Sequence, residues 1–116
     1  MVDKVKSEDL EQAELVQWIR RNHPQHRVFA IPNGGFRTKA SVMKLKATGV
    51  TAGVPDLCIP SLKIYIEMKR TKGGVTSPEQ KDWIKYLTDN GYHAKVCKGK
   101  DDAVKFIEEV LLLINT

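Results

Sequence analysis

Two short runs of alternating apolar and polar residues, 56–60 and 63–69, constrain the fold of this chain more than any other segment. An alternation with a period of two predicts extended strands, each with one buried face. Only Ser61 and Leu62 separate the two runs, and a two-residue break of this kind is typical of an antiparallel hairpin. The segment therefore predicts two adjacent antiparallel strands in a sheet.

The register of this hairpin brings two carboxylates together. With a two-residue turn, Asp56 lies directly opposite Glu67, with the two Cβ atoms about 5 Å apart on one face of the sheet. Lys69 follows Glu67 by two residues and so lies on the same face. Opposed carboxylates repel each other unless a cation lies between them, and oxygen ligands favour Mg²⁺ or Mn²⁺. The alternative is a solvated sheet face on which Lys69 neutralises the acids.

A divalent ion held at such a pair is suited to phosphodiester hydrolysis. The ion polarises the phosphate, lowers the pKa of bound water and offsets the charge that develops in the transition state. Lys69 would then position the attacking water or stabilise the transition state. The formal net charge of +5 fits a polyanionic partner such as DNA, because Lys and Arg neutralise backbone phosphates.

The rest of the chain predicts a single α/β domain over residues 1–116, with the element order α-β-α-β-β-α-β-α. Helical periodicity and short apolar runs alternate around the hairpin, which indicates a mixed four-stranded sheet flanked by helices. The predicted helices cover residues 7–21, 39–48, 77–90 and 101–114, and the two further strands cover residues 28–31, predicted to be buried, and 92–97.

Local residues mark the ends of the predicted helices. Ser7 and Asp101 are the expected N-caps of the first and last helices, and Gly49 follows the end of the second. Ser77 and Gln80 have the spacing of a capping box at the start of the third helix. These signals indicate where the loops join the sheet.

The last helix carries a row of apolar residues, 110–114, that covers more of its circumference than one buried face requires. The row is either deep core or the interface of a homodimer. No apolar run approaches the roughly 20 residues that span a membrane, and the charged N-terminal residues do not resemble a signal peptide. Cys58 and Cys97 are expected to be free thiols in or near the core of a cytoplasmic protein.

Several blocks of sequence, in order along nearly the whole chain, resemble the virus-type replication-repair nuclease (VRR-NUC) domain of the PD-(D/E)XK superfamily. This resemblance implies a restriction-endonuclease-like core. The most specific blocks are Gly-Val-Pro-Asp-Leu at 53–57 and Ile-Glu-Met-Lys-Arg at 66–70, and the others are Glu8-x-x-x-Gln12 with Trp18, Pro-Asn-Gly-Gly at 32–35 with Arg37, Lys46-x-x-Gly49-Val50, the Gly73–Trp83 segment and Gly91-Tyr92.

The resemblance implies roles for particular residues. Asp56 and Glu67 would bind the divalent ion, Mg²⁺ or Mn²⁺, and the backbone carbonyl of Met68 would be a further ligand. Lys69 would be catalytic. Gln80, which the capping box already explains, is expected to lie beside the active site and to belong to the catalytic set.

The family also has a Glu on the first helix that completes the metal site. Glu8 is the expected ligand because it shares a helical stripe with Leu15 and Ile19 and so faces inward. Glu11 is the alternative, since it also aligns with Leu15. Either acid could instead interact only with the helix dipole.

The loop after the first short strand and the residues after the catalytic lysine are candidates for contacts with DNA. Glycines permit close backbone approach, and cations can meet phosphates. The alternative is a surface turn with solvated charges, which is also the interpretation of Lys98 and Lys100. The predicted DNA contacts are Asn33, Arg37, Lys39, Arg70 and Lys72.

The site predicts a metal-dependent nuclease, and the family resemblance further implies a DNA endonuclease that is selective for branched DNA such as Holliday junctions, in replication or repair. Cutting two opposed strands needs two active sites, so a homodimer is expected, and no organic cofactor is required. A compact domain of this kind would suit a phage. The alternatives are a non-cleaving DNA-binding module of the same fold and a metal-binding regulator without a nucleic-acid partner.

Overall fold

The computed structural model describes residues 4–32 and 38–115 of the chain. The predicted order of helices and strands is confirmed. The elements are α1 (Glu8–Asn22), β1 (Phe29–Ala30), α2 (Lys39–Ala47), β2 (Leu57–Ile59), a 3₁₀ turn (Pro60–Leu62), β3 (Ile64–Lys69), α3 (Pro78–Asp89), β4 (His93–Lys98) and α4 (Lys100–Ile114).

The four strands form one mixed sheet in the order β1-β2-β3-β4. The pairs β1–β2 and β2–β3 are antiparallel, whereas β3 and β4 are parallel and are joined through α3. Helices α1 and α4 pack on each other and on β3 and β4, and α3 packs on β4. The predicted four-stranded sheet flanked by helices is therefore confirmed.

The main core lies between the sheet and the pair α1 and α4. Cys58 and Cys97 are buried free thiols, as predicted. None of the helices in the described part of the chain is long and apolar enough to span a membrane. The residues that fill the core include Leu15 and Ile19 of α1, Leu57, Ile59, Ile64, Ile66 and Met68 of the hairpin, and Ala103, Ile107 and Val110 of α4.

The register of the hairpin is the predicted one. Leu57 pairs with Ile66, so the next residues outward, Asp56 and Glu67, are opposite each other. The turn closes through the Lys63 N–H, which donates to the carbonyl at the start of the 3₁₀ turn over 3.0 Å. Period-two alternation and a two-residue break were sufficient to place the two acids.

The prediction of a buried strand at 28–31 is wrong in two respects. The strand contains only Phe29 and Ala30, and both residues are exposed, Phe29 to 50%. Val28 alone among these four residues is buried. Among the described strands, β1 lies at the edge of the sheet and pairs with β2 alone, so much of its surface faces solvent although its residues are apolar.

The prediction that Asp101 caps the last helix is also wrong. Helix α4 begins at Lys100, after Gly99 with φ of +90°, and Asp101 lies in its first turn. The Lys100 N–H donates over 3.0 Å to the carboxylate of Glu11 in α1, 89 residues earlier. A cap supplied by another helix leaves no signal in the local sequence, which explains the error. The predicted caps Ser7 and Ser77 are confirmed.

Two helices of the described chain, α4 at its end and α2, carry apolar side chains that are exposed to solvent. Leu112, Leu113 and Ile114 at the end of α4 are 70%, 65% and 51% exposed, so the deep-core interpretation of this row is wrong for its last three residues. Helix α2 has no buried residue, and Met43 on it is 71% exposed.

Candidate active site

Asp56 is held at the open end of the hairpin by the backbone around it. Its carbonyl accepts the Ile31 N–H over 2.7 Å, and its carboxylate accepts the Met68 N–H over 2.7 Å. The backbone carbonyl of Asp56 points towards β1 and away from β3. Asp56 and Glu67 are therefore opposite each other without backbone hydrogen bonds between them, which is called a non-hydrogen-bonded pair. Side chains of such pairs approach each other more closely than those of hydrogen-bonded pairs. The local fold thus places the two acidic residues side by side.

The proline before Asp56 gives this arrangement a further property. Continuing the ladder outward would pair Pro55 with Met68 in a hydrogen-bonding position. Because Pro55 has no N–H, it cannot donate to the Met68 carbonyl. That oxygen is directed to the side of β3 on which the Asp56 carboxylate lies, so it is available to a cation.

Glu67 is buried, with 3% of its surface exposed. Burial, followed by the neighbouring charge of Asp56, raises its pKa from 4.5 to about 8, while Lys69 lowers it. Its Oε1 has no hydrogen-bond partner among the described residues. A buried acceptor without a donor is costly, and here it lies beside a second carboxylate.

Gln80 connects the capping box to this buried acid. The side-chain Oε1 of Gln80 accepts the backbone N–H of Ser77 over 2.9 Å. The backbone N–H of Gln80 donates to Oγ of Ser77 over 3.2 Å. The Nε2 atom then donates to Oε2 of Glu67 over 3.0 Å. The capping box therefore fixes the amide so that it orients the carboxylate, and the two predicted locations of Gln80 are compatible.

Lys69 lies between Glu67 and the start of α1. Its Nζ is 3.6 Å from Oε2 of Glu67 and 3.8 Å from Oε1 of Glu8, and only 7% of the residue is exposed. Glu8 and Lys69 line one cleft of about 410 Å³ together with Arg70 and the Gly73–Val75 loop. The prediction that Glu8 faces inward is wrong, since Glu8 is exposed and Glu11 is the buried acid of α1. Glu11, however, binds the backbone of α4, so Glu8 is the one of the two acids that lies beside Lys69.

The residues present fit a hard divalent ion. No group of three or more His, Cys, Asp or Glu side chains in the described part of the chain has the geometry of a metal centre. Mg²⁺, however, is commonly held by one or two carboxylates, with water and substrate phosphate as its other ligands. Asp56, Glu67 with its unpartnered Oε1, and the Met68 carbonyl supply oxygen donors only, which fits Mg²⁺ or Mn²⁺ rather than zinc. Glu8 as a ligand stays a prediction.

The residues predicted to contact DNA are not all in one place. Arg70 lines the cleft of Lys69, whereas Lys72 lines a second cleft. Lys39 is exposed at the first turn of α2. Asn33 and Arg37 lie outside the described residues. Their contacts with DNA stay predictions.

The sequence did not single out the fit of the loop before Asp56 against α3. Gly53 has φ of +88°, and a Cβ at this position would be 2.5 Å from the carbonyl carbon of Glu79. The loop that ends at Asp56 is therefore in backbone contact with the first turn of the helix that carries Gln80. A glycine within the Gly-Val-Pro-Asp block was the available signal.

Replacing Gly53 by Ala is expected to lower catalytic activity about 10²-fold, because displacing the loop by about 1 Å misplaces Asp56. Gly49→Ala is the matched control, since its φ is +103° and a Cβ there meets nothing within 4 Å. Both variants carry the left-handed strain of about 1–2 kcal/mol. Equal activities of the two purified variants would contradict the proposed fit.

Comparison with known proteins bears on this site. The sequence model of the VRR-NUC domain matches residues 2–101. A solved structure described as "VRR_NUC domain protein" is similar, with a TM-score of 0.79 and 28% sequence identity over 96% of this chain and 93% of that one. A comparison with curated proteins gives no significant match. The matched range contains every residue of the site from Glu8 to Gln80.

Proposed function

Because this chain belongs to the VRR-NUC domain family, we propose that it is a divalent-metal-dependent DNA endonuclease. The observation that carries the proposal is the buried carboxylate of Glu67 opposite Asp56, with an unpartnered oxygen and a pKa raised to about 8. Two opposed carboxylates destabilise a strand pair when both are ionised, and the raised pKa of Glu67 reflects this conflict in the metal-free protein. A cation that both acids share removes the conflict.

Each side chain then has a distinct role. Asp56, Glu67 and the Met68 carbonyl would hold the ion, which when bound supplies Lewis-acid polarisation and water of lowered pKa. Lys69 donates hydrogen bonds to the phosphate oxygen on which negative charge develops, or to the attacking water. Gln80 keeps the Glu67 carboxylate in one orientation through its Nε2.

The distribution of charge supports DNA as the substrate. Residues 15–55 contain seven Lys or Arg and no Asp or Glu, and they lead directly to Asp56. Lys39, Lys44 and Lys46 of this segment lie on α2, which packs so little on the rest of the described chain that none of its residues is buried. A basic helix of this kind can lie against phosphates without losing core contacts. Selectivity for branched DNA such as Holliday junctions belongs to the same proposal.

The substrate preference and the enzymatic reaction can be tested together. Wild-type protein would be incubated with a four-way junction, a linear duplex and a single strand, each with Mg²⁺, Mn²⁺ or EDTA. We expect cleavage with either metal and none in EDTA, with the junction cut fastest. Binding to the junction without cleavage under any condition would support a non-cleaving DNA-binding module instead. Absence of both binding and cleavage would contradict the proposal altogether.

We further propose that the active form is a homodimer in the cytoplasm of a bacterial or phage-infected cell. Paired incisions in a junction need two active sites related by symmetry. The exposed apolar end of α4, around Leu112, is the surface that supports this, since adjacent exposed apolar side chains mark interfaces.

Leu112→Asp is expected to convert the dimer to a monomer, because each interface would then bury two aspartates without partners. Met43→Asp is the control, since Met43 on α2 is 71% exposed and Leu112 is 70% exposed. Native mass from light scattering at micromolar concentration is the measurement. A wild-type protein that is monomeric both free and on a junction would contradict the dimer but not the nuclease.

A further inference from the structure

A second cleft, of about 420 Å³, lies beside the candidate active site on the side of β4. Its walls come from the residues before α1, from the loop after β3 and from the junction of β4 with α4. Among the residues of this cleft, Lys72 is a predicted DNA contact. The charged residues that line it are Lys4, Lys6, Lys72, Lys98, Lys100, Glu11, Glu14 and Asp101.

The charges of this cleft do not cancel. Lys6 forms a salt bridge of 3.0 Å with Glu14, and Glu11 is buried with its carboxylate on the backbone of α4. Asp101 is the remaining acid of the lining. Within residues 4–32 and 38–115, no salt bridge involves the other four lysines of the cleft, which are Lys4, Lys72, Lys98 and Lys100.

The backbone that carries two of these lysines is fixed by hydrogen bonds. Three successive N–H groups, at 98–100, donate to the Asp102 carboxylate, the Lys69 carbonyl and the Glu11 carboxylate over 2.9, 2.8 and 3.0 Å. The Lys100 N–H at the start of α4 is therefore already satisfied, and the groups of the cleft that can bind an anion include the ammonium groups of its lysines. The fixed backbone also limits the positions that Lys98 and Lys100 can adopt.

The register of the sheet relates this cleft to the active site. Lys98 at the end of β4 is the parallel partner of Lys69 at the end of β3. Adjacent strands are about 4.8 Å apart, and partners in register share a face of the sheet. One strand of a duplex carries a phosphate about every 3.4 Å along the axis. A nucleic-acid backbone that crosses Lys69 along the ends of the strands would reach Lys98 within one or two nucleotides.

We propose that this lysine cleft binds the backbone phosphates one or two nucleotides from the scissile phosphate, through Lys98, Lys100, Lys72 and Lys4. The inference rests on the proposed function, because it assumes that DNA enters the site of Lys69. It replaces the interpretation of Lys98 and Lys100 as ordinary solvated charges. The ligand is the sugar-phosphate backbone, so the contacts position DNA without reading its sequence.

The test measures the binding of a fluorescently labelled four-way junction in EDTA at several salt concentrations. The double variant Lys98→Ala with Lys100→Ala is expected to bind roughly 10- to 100-fold more weakly at 0.1 M salt. The slope of log affinity against log salt should fall by about 2, since each lost phosphate contact removes about 0.9. The control is Lys85→Ala with Lys105→Ala, which removes the same charge from exposed positions on α3 and α4 outside the cleft.

Three results distinguish the outcomes. In the first, the wild type binds and cuts DNA, and the Lys98 and Lys100 double variant binds it with the same affinity and salt slope. This result would overturn the proposed role of the cleft and leave the proposed function intact. A wild-type protein that neither binds nor cuts DNA would overturn the proposed function and the cleft with it. In the third, the double variant Lys98→Arg with Lys100→Arg is compared with the wild type and should retain the salt slope. Loss of the slope in this variant would show that these positions do not contribute through their charge, and would also overturn the proposed role of the cleft.

Discussion

Asp56→Asn is expected to lower the rate of metal-dependent cleavage by about 10³-fold, the scale of losing one preorganised electrostatic group in an active site. Asparagine keeps an oxygen that can accept the Met68 N–H, so the end of the hairpin should stay folded. What the variant loses is one of the two negative charges that would hold the cation. Single-turnover cleavage of a junction with saturating Mg²⁺ measures the effect.

Asp82→Asn on α3 is the control for this prediction, because Asp82 is exposed and lies outside both clefts. It should cut at the wild-type rate. DNA binding by Asp56→Asn should be retained, which separates loss of catalysis from loss of substrate. If Asp56→Asn cleaves as fast as the wild type while the wild type is metal-dependent, the metal is bound elsewhere and the proposed roles of Asp56 and Glu67 are wrong.

The second large effect concerns the stability of the metal-free protein. Glu67 has a folded-state pKa of about 8, against an ordinary value of 4.5, so between these values the folded state holds a proton that the unfolded state has released. The stability that this proton confers is fully present below about pH 4.5 and is lost as the pH rises through about 8. In EDTA, the free energy of unfolding should therefore decrease over this window, and Mg²⁺ should restore it at pH 8.

Glu67→Gln should remove most of this trend, since glutamine does not titrate. At pH 8 in EDTA the variant should be more stable than the wild type by at least about 1–3 kcal/mol, the cost of a buried polar group without a partner, which is larger when the group is charged. It should also lose stabilisation by Mg²⁺ and cleavage. Glu108→Gln, at an exposed position of α4, should follow the wild-type profile. Chemical denaturation at pH 5, 6.5 and 8 is the measurement, and superimposable profiles of Glu67→Gln and the wild type would contradict the prediction.

The parts of the structure that follow from local sequence were predictable. Alternation on both sides of a two-residue break placed Asp56 opposite Glu67, because a strand has one side-chain period and a short turn allows few registers. The caps Ser7 and Ser77 were predictable for the same reason, since a cap contacts residues within three positions. The acid pair and its lysine thus follow from local sequence, whereas the position of Gln80 beside them follows from the family resemblance and not from its capping box.

The features that depend on distant residues were not predictable in this way. The capping of α4 by Glu11 joins two ends of the sequence, and no local pattern records it. The exposure of Phe29 depends on β1 being an edge strand, and that depends on the order of all four strands. Local sequence does not distinguish Lys98 and Lys100 from other surface lysines. The parallel register of β3 and β4 is what places Lys98 beside Lys69.

The hydrogen bond from Lys100 to Glu11 also affects how the chain reaches its folded state. Helix α1 supplies the cap of α4 through residues that are 89 positions apart, and the two helices pack against each other. Contacts of such large sequence separation close long loops and slow folding relative to proteins built from local contacts. A nascent chain therefore contains the acids of the site well before it can bury them.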